Sequence, residues 1–379
     1  MISVNLSKIF GFLFVLVSLQ THYFYQISSP AISLLGLILI GLLLLILFFY
    51  IDIKISKKSL SVFFFFSILF VYSVISFILM NISTDYSRIL GFTVVIFASL
   101  IGGASLNLFN LKILLKTFLV INIFCFYLQL FVYYIFGYHI DFIEPFTGEA
   151  QRVLGGTYQL FFGSFIRPSG LFSEPGTYAL FVAPVVCLYS RYTIHKNNEN
   201  RMWYLCIASL FLSFSLYGIV FALMISALKL SSRITINQII MIGVMVMAVV
   251  GYVQYRILFN DNGFLPEGVG FRFEFIDKML KYSSDSIENL FFGANLFSKL
   301  PGFIFNSSIN DVGLIFYLFH FSGLLGFTII LGFFIYWMVS ADKFSNMTLL
   351  IILLSKYSIF YPFFPLMLLI TLKDEELRQ

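Results

Sequence analysis

The chain alternates long apolar stretches with short polar punctuation. Predominantly apolar runs cover 31–51, 60–81, 89–106, 113–136, 177–194 and 235–251. Each reaches about 18 residues or more, the length at which a helix crosses a bilayer. A further run from Phe10 to Tyr25 reads as the first helix and not as a cleaved leader. Its charged flank is a lone Lys8, no small-residue cleavage site follows, and another span comes at once. The run 202–230 is too long for one ordinary span and carries Ser213, Ser215 and Gly218 near its middle, which predicts two short helices. The tail 346–372 divides near Tyr357, ahead of Pro362 and Pro365. The pattern predicts an all-α, polytopic integral membrane protein of about 12 spans, a single membrane domain over 1–379.

Composition agrees. The chain is 60% hydrophobic and 11% charged, with mean hydropathy +0.97. That leaves too little polar surface to cover a soluble domain of this length. The net charge of +5 does not signal nucleic acid, because the basic residues punctuate spans and form no single patch. Cys125, Cys187 and Cys206 all lie within apolar runs and read as core residues without disulfides.

Basic residues also orient the chain. With both termini in the cytoplasm, the inside loops collect Lys8, Lys54, Lys57, Lys58, Lys112, Lys116, Arg191, Lys196, Arg201, Lys229, Arg233, Lys343, Lys373 and Arg378. The short outside loops hold only Arg88 and Lys356, as the positive-inside rule requires. Two longer outside segments, 138–175 and 252–310, carry the remaining basic residues. Together they are too short for an independent enzyme domain, so any active site is built between these loops and the helix ends.

Within the first loop, residues 167–176 read Arg-Pro-Ser-Gly-Leu-Phe-Ser-Glu-Pro-Gly, a rigid polar island before an apolar span. Ser173 or Glu174 caps the helix that follows, and Pro175 suits its first turn. The positive end of that helix, with Arg167 beside it, offers an anion such as phosphate a backbone and a bidentate contact. The same Arg167 and Glu174 read equally as an ion pair closing a turn. Arg152 and the loop aromatics, Tyr158 among them, supply a second cation and ring faces.

The second loop holds Arg256 and Arg272, the latter close to Gly268-Val-Gly270. Residues 271–290 read as an amphipathic helix, with Phe275, Ile276, Met279 and Leu280 toward the membrane face. Glu274–Lys278 and Asp277–Lys281 are i,i+4 pairs. Arg272 reads either as a phosphate ligand or as a snorkelling anchor. Asp311 opens the next span, either as a helix cap or as a carboxylate general base.

The chain lacks a Walker-A loop, a Rossmann glycine fingerprint, HExxH, a Gly-x-Ser-x-Gly elbow and a Cys pair at metal spacing. Its histidines, His22, His139, His195 and His320, are scattered in sequence. The spans hold almost no charge, which favours a surface site over a permeation path.

The string Arg167-Pro-Ser-Gly170-Leu-Phe-Ser-Glu174-Pro175 resembles the Arg-x-x-Gly-Leu-Phe-x-Glu-Pro signature of Wzy-type bacterial O-antigen polymerases. Gly270-Phe-Arg272 with Leu290-Phe-Phe-Gly293, and Asn310-Asp311 with Gly323-Leu-Leu-Gly326, are similar to later stretches of that family. The related O-antigen ligases carry a histidine where Asp311 stands here. The resemblance implies a GT-C-like membrane fold in the bacterial inner membrane and a metal-independent glycosyltransferase without cofactor. It implies polymerisation of repeat units carried on undecaprenyl pyrophosphate, at the periplasmic face. Catalytic residues would be Arg167, Glu174, Arg272 and Asp311. Arg152, Arg256, Gly170, Pro175 and Tyr158 would bind substrate. Membrane lipid, a chain-length-determining co-polymerase and a flippase are the implied partners. An O-antigen ligase, a lipid-linked oligosaccharide transporter and a capsule or exopolysaccharide polymerase are the alternatives.

Overall fold

A computed structural model of the chain describes residues 2–23, 55–80, 86–147, 150–152, 159–160, 163–164, 166–193, 200–230, 267–298, 313–355, 357, 359–360 and 363–373. Apart from one pair of two-residue strands, the described elements are helical. In chain order they are α1 (Ile2–Tyr23), α2 (Lys57–Met80), α3 (Tyr86–Ser105), α4 (Leu111–Phe136), the single turn α5 (Glu144–Thr147), α6 (Pro175–Thr193), α7 (Asn200–Leu212), α8 (Leu216–Leu230), α9 (Glu267–Ser284), α10 (Ile287–Phe292), α11 (Leu314–Ser340), α12 (Lys343–Leu354) and α13 (Phe363–Leu372). A two-residue hairpin pairs Gln159 with Ser164 and Leu160 with Gly163.

Four of these helices are long and apolar enough to cross a membrane, over Lys57–Met80, Arg88–Ser105, Leu111–Phe136 and Leu314–Ser340. Their outward faces are hydrocarbon: Phe124 is 65% exposed and Val339 83%. Side chains of that kind stand outside in such density only where the solvent is lipid. The chain is a helical membrane protein. The apolar runs 31–51 and 235–251 lie outside the described residues.

The helix boundaries follow local chemistry. The run 202–230 is two helices, broken where Phe214 turns to φ 47° and the Ser213 hydroxyl bonds back to the Leu210 carbonyl at 2.7 Å. The tail is likewise divided into α12 and α13. The amphipathic stretch 271–290 is not one helix, because Ser286 interrupts it and caps α10 by accepting from the Asn289 amide at 3.0 Å. Met279, expected on the membrane face, is buried in protein, whereas Leu280 is exposed. The Asp277–Lys281 pair forms at 2.7 Å.

The chain falls into two compact units. The first comprises Met1–Ser28, Leu108–Tyr252 and Lys343–Ile351. Here α1 packs along α4, with Phe10 stacked on Phe109 at 4.2 Å and Gly11 set against Thr117. Helices α6, α7 and α8 and most of α12 also belong to it. Trp203 donates to the Ser190 hydroxyl at 2.7 Å, and the Lys229 ammonium stands 4.0 Å above the Trp203 ring while donating to Thr193.

The second unit comprises Ser29–Asn107, Val253–Asp342 and Ile352–Gln379. Lys58 donates to the Ser340 carbonyl at 2.8 Å, and Trp337 to the Ser61 hydroxyl at 2.9 Å. These bonds pair the start of α2 with the end of α11. Further along, the Tyr72 hydroxyl donates to the Ser322 carbonyl at 2.6 Å. That carbonyl borders a break inside α11, where Gly323 adopts φ 57° and ψ −167°. Gly293 crosses the same point with φ 72°. A Cβ on either glycine would collide with the backbone nitrogen of the other. Neither position admits a side chain.

Candidate functional site

The island around Arg167 lies in the first unit, and two glutamines build it. Gln129 is on α4 and wholly buried. Its Oε1 accepts the backbone N–H groups of Ser169 (3.1 Å) and Gly170 (2.8 Å). Its Nε2 donates to the Ile140 carbonyl (3.0 Å) and to Gln151 Oε1 (2.7 Å). Gln151 in turn donates to the carbonyls of Gly170 (2.8 Å) and Phe172 (2.7 Å) and accepts from the Phe142 amide (3.3 Å). Irregular backbone with no helix or sheet partner is thus satisfied by side-chain amides. That is the condition under which such backbone survives among membrane helices.

The surrounding loop is tied to the same frame. Asp141 accepts the Ile143 and Glu144 amides at 2.8 and 2.9 Å, capping α5, and also accepts the Gln151 amide. The Arg152 amide donates to the Ser173 carbonyl at 2.7 Å, while the residue itself is exposed. His139 is half-buried nearby. Burial holds its imidazole below the ordinary value, against the opposing pull of Asp141 and Glu144.

Gly170 brings the island hard against α4. Its φ is +56°, and a Cβ there would stand 3.3 Å from the Asn122 carbonyl and 3.5 Å from the Phe126 amide. Those residues precede Phe136, the end of α4, by 14 and 10 positions. At 1.5 Å per residue the island sits roughly 15–21 Å along the helix from that end. The island precedes α6, at the helix mouth the sequence expects, and the structure also packs it against α4. Tyr178 lines the contact, stacked on Phe126 at 4.7 Å and donating to the Ser209 hydroxyl at 2.7 Å.

Helix α6 starts at Pro175, as expected. The Tyr178 amide donates to the Glu174 carbonyl at 3.1 Å. The Glu174 carboxylate accepts from the Thr177 hydroxyl at 3.1 Å. Gly176 lies beside both that carboxylate and the Ser215 hydroxyl. Glu174 therefore occupies the positive end of the helix dipole that the sequence offered to an anion. Arg167, on the same segment, is half-buried.

Arg167, Gly170, Glu174 and Pro175 are thus brought together, with Arg152 joined to them through its backbone. Arg272 lies on α9 in the second unit. Arg256, Tyr158 and Asp311 lie outside the described residues. The helix after Asp311 begins at Leu314, with Gly313 in the cap position and no side-chain cap; the Leu314 amide donates to the Ser355 carbonyl at 2.7 Å. Gln129, Gln151 and Asp141 were missed by sequence reasoning. An amide inside an apolar span, as in Leu-Gln129-Leu, was the available signal.

No family model matches this chain, and no curated protein matches it.

Proposed function

We propose that this protein is a glycosyltransferase that polymerises oligosaccharide repeat units carried on undecaprenyl pyrophosphate, of the O-antigen polymerase kind. In this reading it lies in the bacterial inner membrane with about 12 spans and both termini cytoplasmic. The observation that carries the proposal is the island 167–174, a cation and a carboxylate on non-helical backbone held by Gln129 and Gln151 against α4.

The chemistry suits those groups. A sugar hydroxyl of one repeat attacks the anomeric carbon of the other chain. The bond from that carbon to the pyrophosphate oxygen breaks, and the lipid pyrophosphate leaves as an anion. The hydroxyl proton passes to a carboxylate, Glu174 or Asp311. Arg167 stabilises the charge on the leaving oxygens, where a fixed donor has its largest effect. By the family resemblance Arg272 shares this role, with Arg152 or Arg256 in support, and Tyr158 is a substrate-binding residue. Pro175 and Gly170 fix the backbone that carries these groups.

The test is incubation of the purified full-length protein with an undecaprenyl-pyrophosphate-linked repeat unit, with products separated by gel. A ladder of lengthening glycans is expected. Bound but unchanged substrate overturns the proposal. Transfer of a glycan only when lipid A–core is added marks a ligase, and movement of the lipid across a vesicle without a new bond marks a transporter.

A further inference from the structure

The second unit contains a polar side chain for which the described residues supply no partner. His320 lies on α11, six residues past Leu314, and is 1% exposed. Among the described residues neither Nδ1 nor Nε2 has a hydrogen-bond partner. A neutral imidazole presents one donor and one acceptor, and leaving both unmade in a buried site is costly. The backbone around it is served: the His320 carbonyl accepts from the Ala294 amide at 2.8 Å and the Ser322 carbonyl from Tyr72 at 2.6 Å.

Two rings pack against the imidazole. Tyr282 of α9 packs edge-on at 5.3 Å between centroids, and Phe321 at 5.1 Å. Tyr317 continues the cluster, 4.6 Å from Phe321. Phe321 is fully buried, whereas Tyr282 is half-buried.

We propose that His320 binds a sugar hydroxyl of the glycan substrate. This rests on the glycosyl-transfer reading above. A hydroxyl both donates and accepts, which matches a neutral imidazole; a phosphate only accepts and would call for a charged one. Aromatic rings beside the imidazole suit the C–H faces of a pyranose. The role is binding and positioning, so its loss acts on KM for the glycan more than on kcat.

Ring ¹⁵N spectra of the full-length protein in nanodiscs provide the test, because the chain has only four histidines and His320→Gln identifies the signal. The probes are undecaprenyl pyrophosphate carrying the repeat unit and the same lipid without sugar, each at saturation confirmed with radiolabelled lipid. The His320 signals are expected to move with the glycan-bearing lipid and to stay with the bare one. Equal responses, or none, overturn the proposal. In parallel, His320→Phe keeps the ring shape and removes the polar atoms. It should melt no lower than wild type yet raise KM for the glycan about tenfold, with His320→Gln intermediate. A Phe variant that folds and keeps wild-type KM marks a merely structural histidine and overturns the proposal. If wild type forms a ladder while His320 is indifferent, this inference alone fails. If wild type neither binds glycan nor forms a ladder, the function reading fails and this inference falls with it.

Discussion

Gln129 and Gln151 meet amide to amide at 2.7 Å, and together they hold Ser169, Gly170 and Phe172 by backbone bonds. Neither side chain is charged, and both are buried. Replacing Gln151 by Leu leaves the Gly170 and Phe172 carbonyls and the Phe142 amide without this partner. Each such group costs about 1–3 kcal/mol, so thermal unfolding in detergent should shift down by several degrees and turnover should be lost. Gln129→Leu should do the same, and the double variant should lose less than the sum. Additive losses would show that the two amides act separately.

Arg167→Ala is expected to lower turnover roughly 10²–10³-fold, the typical loss for one donor at a developing charge. Arg167→Lys should recover little, because an ammonium lacks the planar fork. Wild-type turnover by the alanine variant would remove Arg167 from the chemistry.

Gly170→Ala tests the packing of the island on α4. A side chain at φ +56° is strained by about 1–2 kcal/mol, and the added methyl meets the Asn122 carbonyl at 3.3 Å. The variant should lose activity while circular dichroism keeps its helical signal. Full activity would mean that the island need not lie against α4.

In the second unit a graded pair is expected. Tyr72→Phe removes the hydroxyl that serves the Ser322 carbonyl and should cost about 1 kcal/mol, read as a modest drop in melting temperature. Gly293→Ala forces two backbones apart and should abolish folded protein in size-exclusion chromatography. Equal behaviour of the two would contradict the crossing.

His139 gives a pH dependence with a definite sign. Its folded imidazole is held below the ordinary value, while the unfolded one takes a proton near about pH 6.5. The unfolded state therefore binds more protons below that pH. Stability is complete above it and lost on acidification toward the folded value. Thermal unfolding of wild type should decline between about pH 7 and 5 more steeply than that of His139→Gln. Parallel profiles would assign the acid sensitivity elsewhere.

Local signals in the sequence were legible and distant pairings were not. Pro175 marks a helix start by its own geometry, and Ser213 and Ser215 mark the break in 202–230, so both read directly. The break at Ser286 was overlooked because the apolar spacing runs through it, although the cap residue stood in plain sight. Gln129 and Gln151 look like isolated polar residues until the fold sets them face to face. Gly170, Gly293 and Gly323 are visible as glycines, but which backbone each must admit depends on residues far along the chain.

The crossing of Gly293 and Gly323 is a contact made by the absence of side chains. Its fit depends on two empty positions thirty residues apart, and not on the identity of their neighbours. Evolution is thus free to rewrite the neighbouring apolar letters, one hydrocarbon for another, without disturbing the join. Distant kin of this unit would share a pair of blanks at a fixed interval more faithfully than any word spelled between them.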